Sequence, residues 1–123
     1  MGLDMYLYKI KKEEIGYLRK ANMVHYWLEK RIMSCNPEIK EVYNTGYFKL
    51  TYNDFKALYW DIDFVQKNPE MAKEILPTRP GFFFGNFQYD DSYFEILQST
   101  KNQLKKILKE NNKEDTFLYI PSW

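Results

Sequence analysis

The chain has 123 residues, of which 45% are hydrophobic and 28% charged, a composition typical of a folded protein and not of a disordered one. Its 18 basic and 17 acidic residues give a net charge of +1, which argues against a protein that coats long nucleic acids. The single cysteine, Cys35, cannot form an intramolecular disulfide and fits the reducing cytoplasm. We see no signal peptide and no membrane-spanning apolar run, so we predict one cytoplasmic domain over residues 1–123 with no membrane partner.

The first half of the chain predicts a strand, a long helix and a short strand. Alternation over residues 3–10 is typical of a strand, and from Glu14 to Met33 apolar residues recur at helical spacing. The predicted buried stripe of that helix is Tyr17, Leu18, Ala21, Val24, His25, Leu28 and Ile32. Asn36-Pro37 ends the helix, and residues 47–50 predict a short strand.

The second half predicts three more helices and two strands. Thr51 and Asp54 form a capping-box pattern before a helix that buries Phe55, Leu58, Tyr59, Ile62 and Val65. Asn68-Pro69 ends this helix and starts a short one that reaches Ile75. A strand over Phe82–Phe84, a helix from Asp90, Asp91 or Ser92 to about Asn111, and a strand over Thr116–Ile120 follow. This order predicts an α+β fold, with a small, mainly antiparallel sheet packed against three to four helices.

Aromatic residues make up 19% of the chain and concentrate beside polar residues in two blocks, residues 16–27 and 81–90. In the first block four residues follow helical spacing opposite the apolar stripe: Arg19, Asn22, Met23 and Tyr26. This face is either a solvated surface with scattered aromatics or a binding surface, because rings beside cations suit flat anionic ligands and protein hot spots alike. The candidate ligand-binding residues are Arg19, Lys20, Asn22, Tyr26, Trp27, Tyr89 and Asp90.

Motifs for catalysis and metal binding are absent from the sequence: there is no phosphate-binding loop, nucleophile elbow, Cys-x-x-Cys or His-Glu-x-x-His. On an apolar face, the only histidine, His25, is expected to be a hydrogen-bonded core residue rather than a catalyst. One His and one Cys are too few for a metal site, so we predict no metal and no cofactor. We therefore favour a protein without catalytic activity. Acid–base catalysis by His25 or Asp90 is the alternative.

Three blocks of the sequence together resemble a family of small phage and prophage proteins. They are the Met1–Leu7 start, the Tyr-x-Arg-Lys-Ala-Asn-x-x-His-x-Trp block over residues 17–27, and the Gly-Phe-Phe-Phe-Gly block over residues 81–85, followed by Tyr89-Asp90-x-x-Tyr93. Leu18 stands where the family pattern has Trp. The family brings no activity with it; the resemblance implies an accessory phage gene acting in the bacterial host cytoplasm, where such proteins commonly counter host defences.

These observations lead to three hypotheses about function. The first is a non-enzymatic binder that sequesters a nucleotide-derived host defence signal, with a homo-oligomer expected because subunit junctions create concave sites. The second is an inhibitor that binds a host defence or regulatory protein through the aromatic face. The third is a small hydrolase or lyase acting on a nucleotide.

Overall fold

A computed structural model describes residues 2–9, 13–79 and 88–123. Within these ranges the chain forms a four-stranded antiparallel sheet in the order β2-β1-β4-β3. The strands are β1 (Asp4–Lys9), β2 (Glu13–Arg19), β3 (Phe48–Thr51) and β4 (Thr116–Ser122); the helices are α1 (Asn22–Cys35), α2 (Tyr52–Lys67), α3 (Ala72–Ile75) and α4 (Asp91–Glu110). The α+β prediction is confirmed, whereas the predicted Phe82–Phe84 strand lies outside the described residues.

One face of the sheet forms the floor of the core. Alternate residues of each strand point to this face and are buried, because side chains in a strand alternate between the two sides. They are Met5, Leu7, Leu18, Phe48, Leu50, Phe117 and Tyr119. With Leu28 of α1, Phe55 of α2 and Leu97 of α4 they belong to one hydrophobic cluster. The opposite face of the sheet is only partly buried.

The prediction of a helix beginning at Glu14 is wrong, because Glu13–Arg19 is a strand and α1 begins only at Asn22. The strand is hidden in the sequence by a bulge: Leu7 pairs with Gly16 and Tyr8 with Glu14, so the pairing skips Ile15 and the alternation of period two is interrupted. Helical periodicity from α1 thus extends by coincidence into a segment whose conformation is set by pairing with β1.

Helix α1 is buried on more sides than a single apolar stripe provides. Val24, Leu28 and Ile32 of the predicted stripe are buried, as expected. Asn22 and Met23, predicted on the opposite side, are also almost fully buried. Their burial was not predicted because it depends on tertiary contacts: α1 also faces α2 and the segment that holds residues 78–79.

The caps predicted for the later helices are present. Thr51 and Asp54 form the reciprocal capping box of α2, and Asp90 caps α4 by accepting a hydrogen bond from the Tyr93 N–H. The last strand extends beyond its predicted end to include Pro121, whose carbonyl accepts from the Thr45 N–H on the β3 side. The missing N–H of Pro121 therefore does not interrupt the ladder with β1, because the N–H and C=O of a strand residue point the same way. Among the described helices, none combines the length and apolar character needed to cross a bilayer.

Candidate functional site

The seven predicted site residues lie in three separate places. Arg19 and Lys20 are exposed at the end of β2. Helix α1 holds three of the residues: Asn22 is buried at its start, and Tyr26 and Trp27 lie one turn later. Tyr89 and Asp90 directly precede α4. The predicted common helix face of Arg19, Asn22 and Tyr26 does not exist, because Arg19 belongs to a strand.

Arg19 lines a groove of about 290 Å³ between the end of β2 and α4. The lining residues are Tyr17, Leu18, Arg19, Ala21, Ile96 and Ser99. Lys20 turns the chain from β2 towards α1: it has a positive φ of 55°, which is uncommon for a residue with a side chain, and its N–H donates to the Leu3 carbonyl at 2.7 Å. Both cations are thus separated from Tyr26 and Trp27 by the strand-to-helix junction.

Residues 78–79 connect the two aromatic blocks of the sequence. The Arg79 N–H donates to the Asn22 side-chain oxygen at 3.0 Å, and the Thr78 N–H donates to the Tyr89 hydroxyl at 3.1 Å. Asn22 and Tyr89 therefore hold the same segment from two sides. Asp90 serves as the cap of α4, so a carboxylate already occupies the helix end where an anion would bind.

A buried polar cluster joins α1, β4 and the segment before residue 80. Asn22, His25 and Glu29 lie on one face of α1, and Glu29 accepts from Arg79 Nη1 at 2.7 Å. The His25 Nδ1 atom lies 2.6 Å from the Tyr119 hydroxyl oxygen, and its Nε2 atom lies 3.4 Å from Arg79 Nη1. Since a guanidinium can only donate, we infer that Nε2 accepts and the Nδ1–H donates to Tyr119.

Burial controls the protonation states in this cluster. It lowers the pKa of His25 to about 4, with a smaller contribution from the Arg79 charge. Burial also raises the pKa of Glu29, an effect that the neighbouring Arg79 opposes, and raises the pKa of Tyr119 well above its usual value. His25 is therefore neutral and fully buried, which confirms its prediction as a hydrogen-bonded core residue. The cluster links three parts of the chain but holds its histidine away from the surface.

Sequence reasoning missed Glu29 and Arg79 of this cluster. A signal for Glu29 was present, because it lies four residues after His25 on the apolar side of α1, where a carboxylate needs a partner. Arg79 carried no comparable signal, since its approach to α1 depends on how the chain returns after α3.

Trp27 lies in a groove of about 440 Å³ between α1, α2 and α3. The residues that line it are Trp27, Lys30, Arg31, Ser34, Ala57, Asp61 and Ile75. The Trp27 indole N–H donates to Asp61 Oδ2 at 2.8 Å, which fixes the ring across the two helices. We call this site the Trp27 groove.

Two cations border the Trp27 groove. The Arg31 guanidinium lies 5.7 Å from the Trp27 ring centre and donates to Asp54 at 2.7 Å. The exposed Lys30 ammonium lies 4.4 Å from the Tyr26 ring centre and has no ion-pair partner among the described residues. Of the predicted site residues, Trp27 lines this groove and Tyr26 lies beside it, in contact with Lys30. Lys30, Arg31 and Asp61 were not predicted.

In the part of the chain that the structure describes, no three His, Cys, Asp or Glu side chains are grouped so that they could hold a metal ion. Cys35 is exposed at the end of α1. Comparison of the chain with protein-family models, with curated proteins and with solved structures gives no match.

Proposed function

We propose that this protein is a non-enzymatic binder of a nucleotide-like anion and that the Trp27 groove is its binding site. The observation that carries the proposal is the meeting of Trp27, Lys30 and Arg31 around a concave surface of about 440 Å³. This volume lies within the range typical of small-molecule sites. The groove therefore offers both an apolar wall for a flat ring and positive charge for an anion.

The base and the phosphate of a nucleotide each have a matching group in the groove. Ala57 and Ile75 supply apolar surface beside the indole for a base. Lys30 can bind a phosphate without first breaking an ion pair, whereas Arg31 is already paired with Asp54. Asp61 uses Oδ2 for the indole N–H, and its Oδ1 has no hydrogen-bond donor among the described residues. That oxygen can accept an N–H group of the base and so discriminate between bases.

The resemblance to phage proteins suggests a biological role for such binding. The protein would act in the bacterial host cytoplasm by sequestering a nucleotide-derived defence signal. Sequestration needs affinity without turnover, and a rigid groove between helices favours affinity because little order is lost on binding. The complete burial of His25 supports this role over nucleotide hydrolysis.

The proposal is tested by denaturing the purified protein, analysing the released small molecules by mass spectrometry, and titrating the protein with cyclic and linear nucleotides by calorimetry. We expect an intact nucleotide to be released and rebound. Lys30→Glu should weaken binding at least about tenfold, since it replaces the available cation by a repelling charge. The matched control Lys105→Glu makes the same charge change on an exposed part of α4 and should bind normally.

Two results would contradict the proposal. One is the absence of any released or titrated nucleotide. The other is turnover of the added nucleotide, which would identify a hydrolase or lyase and make His25 the first candidate for acid–base catalysis.

A second candidate function is inhibition of a host protein by direct binding. The observation that favours it is a pair of exposed rings on α2: Trp60 is 56% exposed and Phe64, one turn later, is 45% exposed. Exposed aromatic anchors are typical of interface hot spots. In this case Trp60→Ala should abolish co-purification with a specific host protein, whereas Lys30→Glu should preserve it.

A further inference from the structure

The face of the sheet opposite the core carries a continuous group of apolar side chains. This outer face presents alternate residues of three strands, all partly or largely exposed and none belonging to the core cluster. They are Tyr6, Tyr8, Tyr17, Leu118 and Ile120. An antiparallel sheet normally alternates buried apolar residues with polar ones, so an apolar outer face indicates contact with another molecule.

The strand register places these side chains side by side. Tyr6 pairs with Tyr17 on one side and with Ile120 on the other, and Tyr8 pairs with Leu118. The Tyr6 ring centre lies 5.4 Å from that of Tyr17 and 6.5 Å from that of Tyr8. The five residues thus form one surface across β2, β1 and β4, not a scatter of single exposed rings.

Opposite charges flank this surface at the two edges of the sheet. Glu14 on β2 pairs with Tyr8, and Lys49 on β3 pairs with Leu118. The same row across the sheet therefore begins with an exposed carboxylate and ends with an exposed ammonium. In a third row, at the other end of the strands, Asp4 pairs with Arg19. The outer face therefore has two acidic residues, Asp4 and Glu14, and two basic residues, Arg19 and Lys49.

This charge arrangement is complementary to itself. A twofold axis parallel to the strands, between β1 and β4, exchanges the two edges of the sheet when a second copy faces the first. Glu14 of each copy then meets Lys49 of the other, and Tyr6 and Tyr8 of β1 meet the aliphatic side chains of β4. Two sheets packed in this aligned way bring their apolar faces together at about 10 Å.

We propose that the outer face of the sheet binds a second copy of this chain and forms a symmetric, sandwich-like dimer. A single-stranded nucleic acid could also stack on three tyrosines, but the balance of two carboxylates and two cations favours a neutral, self-complementary partner. A face of four short strands, about 20 Å on each side, covers roughly 400 Å² per copy, or roughly 800 Å² in the dimer. This area lies below the ~1,200 Å² of a stable interface, so the dimer should be weak and dissociate on dilution. This inference is independent of the Trp27 groove.

Sedimentation velocity over a range of concentrations tests the proposal. Wild-type protein should shift from monomer to dimer as concentration rises. Glu14→Lys alone and Lys49→Glu alone should each weaken the dimer at least about tenfold. Each single variant places two like charges against each other at both symmetry-related contacts of the dimer. Lys56→Glu, which alters an exposed residue of α2, should leave dimerisation unchanged.

Mixing the two variants provides the decisive measurement. An equimolar mixture of Glu14→Lys and Lys49→Glu should form a mixed dimer, because both contacts then join a lysine to a glutamate. A wild-type protein that stays monomeric, single variants that dimerise as well as wild type, or a mixture that does not associate would each overturn the proposal. Tight binding of an oligonucleotide that Tyr6→Ser abolishes would assign the face to nucleic acid instead. Lys30→Glu, which tests nucleotide binding, should dimerise normally.

Discussion

The His25 imidazole is buried in an environment that opposes positive charge. The ring is inaccessible to solvent, and Arg79 Nη1 lies 3.4 Å from Nε2. The pKa of His25 is therefore about 4 in the folded protein, compared with its ordinary value of 6.5. In the unfolded chain the imidazole takes up a proton at the higher pH, so acid favours unfolding.

We predict that the free energy of unfolding falls as the pH decreases from 6.5 to about 4. The loss from His25 should reach at most about 3.5 kcal/mol, at roughly 1.4 kcal/mol for each unit of pKa difference. Glu29 acts in the opposite sense, because its raised pKa lets the folded state take up a proton first, so the net loss should be smaller. Urea titrations at several pH values measure this dependence.

His25→Gln provides the control for the pH dependence. Glutamine cannot titrate and lacks the ring Nδ1 that contacts Tyr119, so the variant should be less stable at neutral pH and show a flatter profile in this range. An unchanged slope in His25→Gln would assign the acid sensitivity to other groups.

Two neighbouring positions on α1 separate core packing from binding. Leu28 is 1% exposed, and Leu28→Ala should cost roughly 2–5 kcal/mol because it leaves a cavity. Tyr26 is half-buried beneath Lys30, so Tyr26→Ala should cost much less in the monomer but weaken nucleotide binding. Thermal unfolding and calorimetry measure the two effects; equal, large losses of stability would show that Tyr26 belongs to the core.

At the scale of elements, the outer edge of β2 is closed by a side chain from α4. Gln103 Oε1 accepts from the Tyr17 N–H at 2.9 Å, and Gln103 Nε2 donates to the Tyr17 carbonyl at 2.8 Å. The amide thus makes the two hydrogen bonds that a neighbouring strand would make. Covering an edge in this way prevents unwanted strand pairing.

We predict that Gln103→Ala lowers the free energy of unfolding by about 1–3 kcal/mol, because two backbone groups of Tyr17 lose their partner. It should also increase aggregation, which light scattering detects. Gln98→Ala removes an exposed amide of the same helix. Its hydrogen bonds, to the Gln66 and Asn102 side chains, are exposed to solvent, so the variant should change stability by less than about 0.5 kcal/mol. Similar losses in both variants would mean that helix propensity, not edge closure, explains the effect.

At the scale of the whole molecule, the described residues share one core. Every strand and every helix contributes at least one buried residue to a single hydrophobic cluster. Loss of any one element would therefore expose apolar surface on the others.

We predict that unfolding in urea is one cooperative transition. Tryptophan fluorescence, which reports on Trp27, Trp60 and Trp123, should change at the same urea concentration as the circular dichroism of the helices. Two separated transitions would contradict the prediction of a single domain.

The sequence by itself determined the elements whose signals are local. The capping box of Thr51 and Asp54, the apolar side of α2 and the cap at Asp90 act within a few residues, so they could be predicted together with the α+β class. The buried position of His25 also followed from periodicity. Of the candidate groove, the sequence indicated Trp27 and its neighbour Tyr26, which contacts Lys30, because aromatic residues beside cations form a local pattern.

Only the tertiary structure decided the features that join distant parts of the chain. Strand β2 exists because it pairs with β1, and a bulge at Ile15 concealed this pairing from periodicity. Arg79 reaches Glu29, and Asp61 reaches Trp27, across separate elements. The physical reason is that a hydrogen bond or ion pair between distant residues leaves no regular spacing in the sequence, whereas a helix or a cap does.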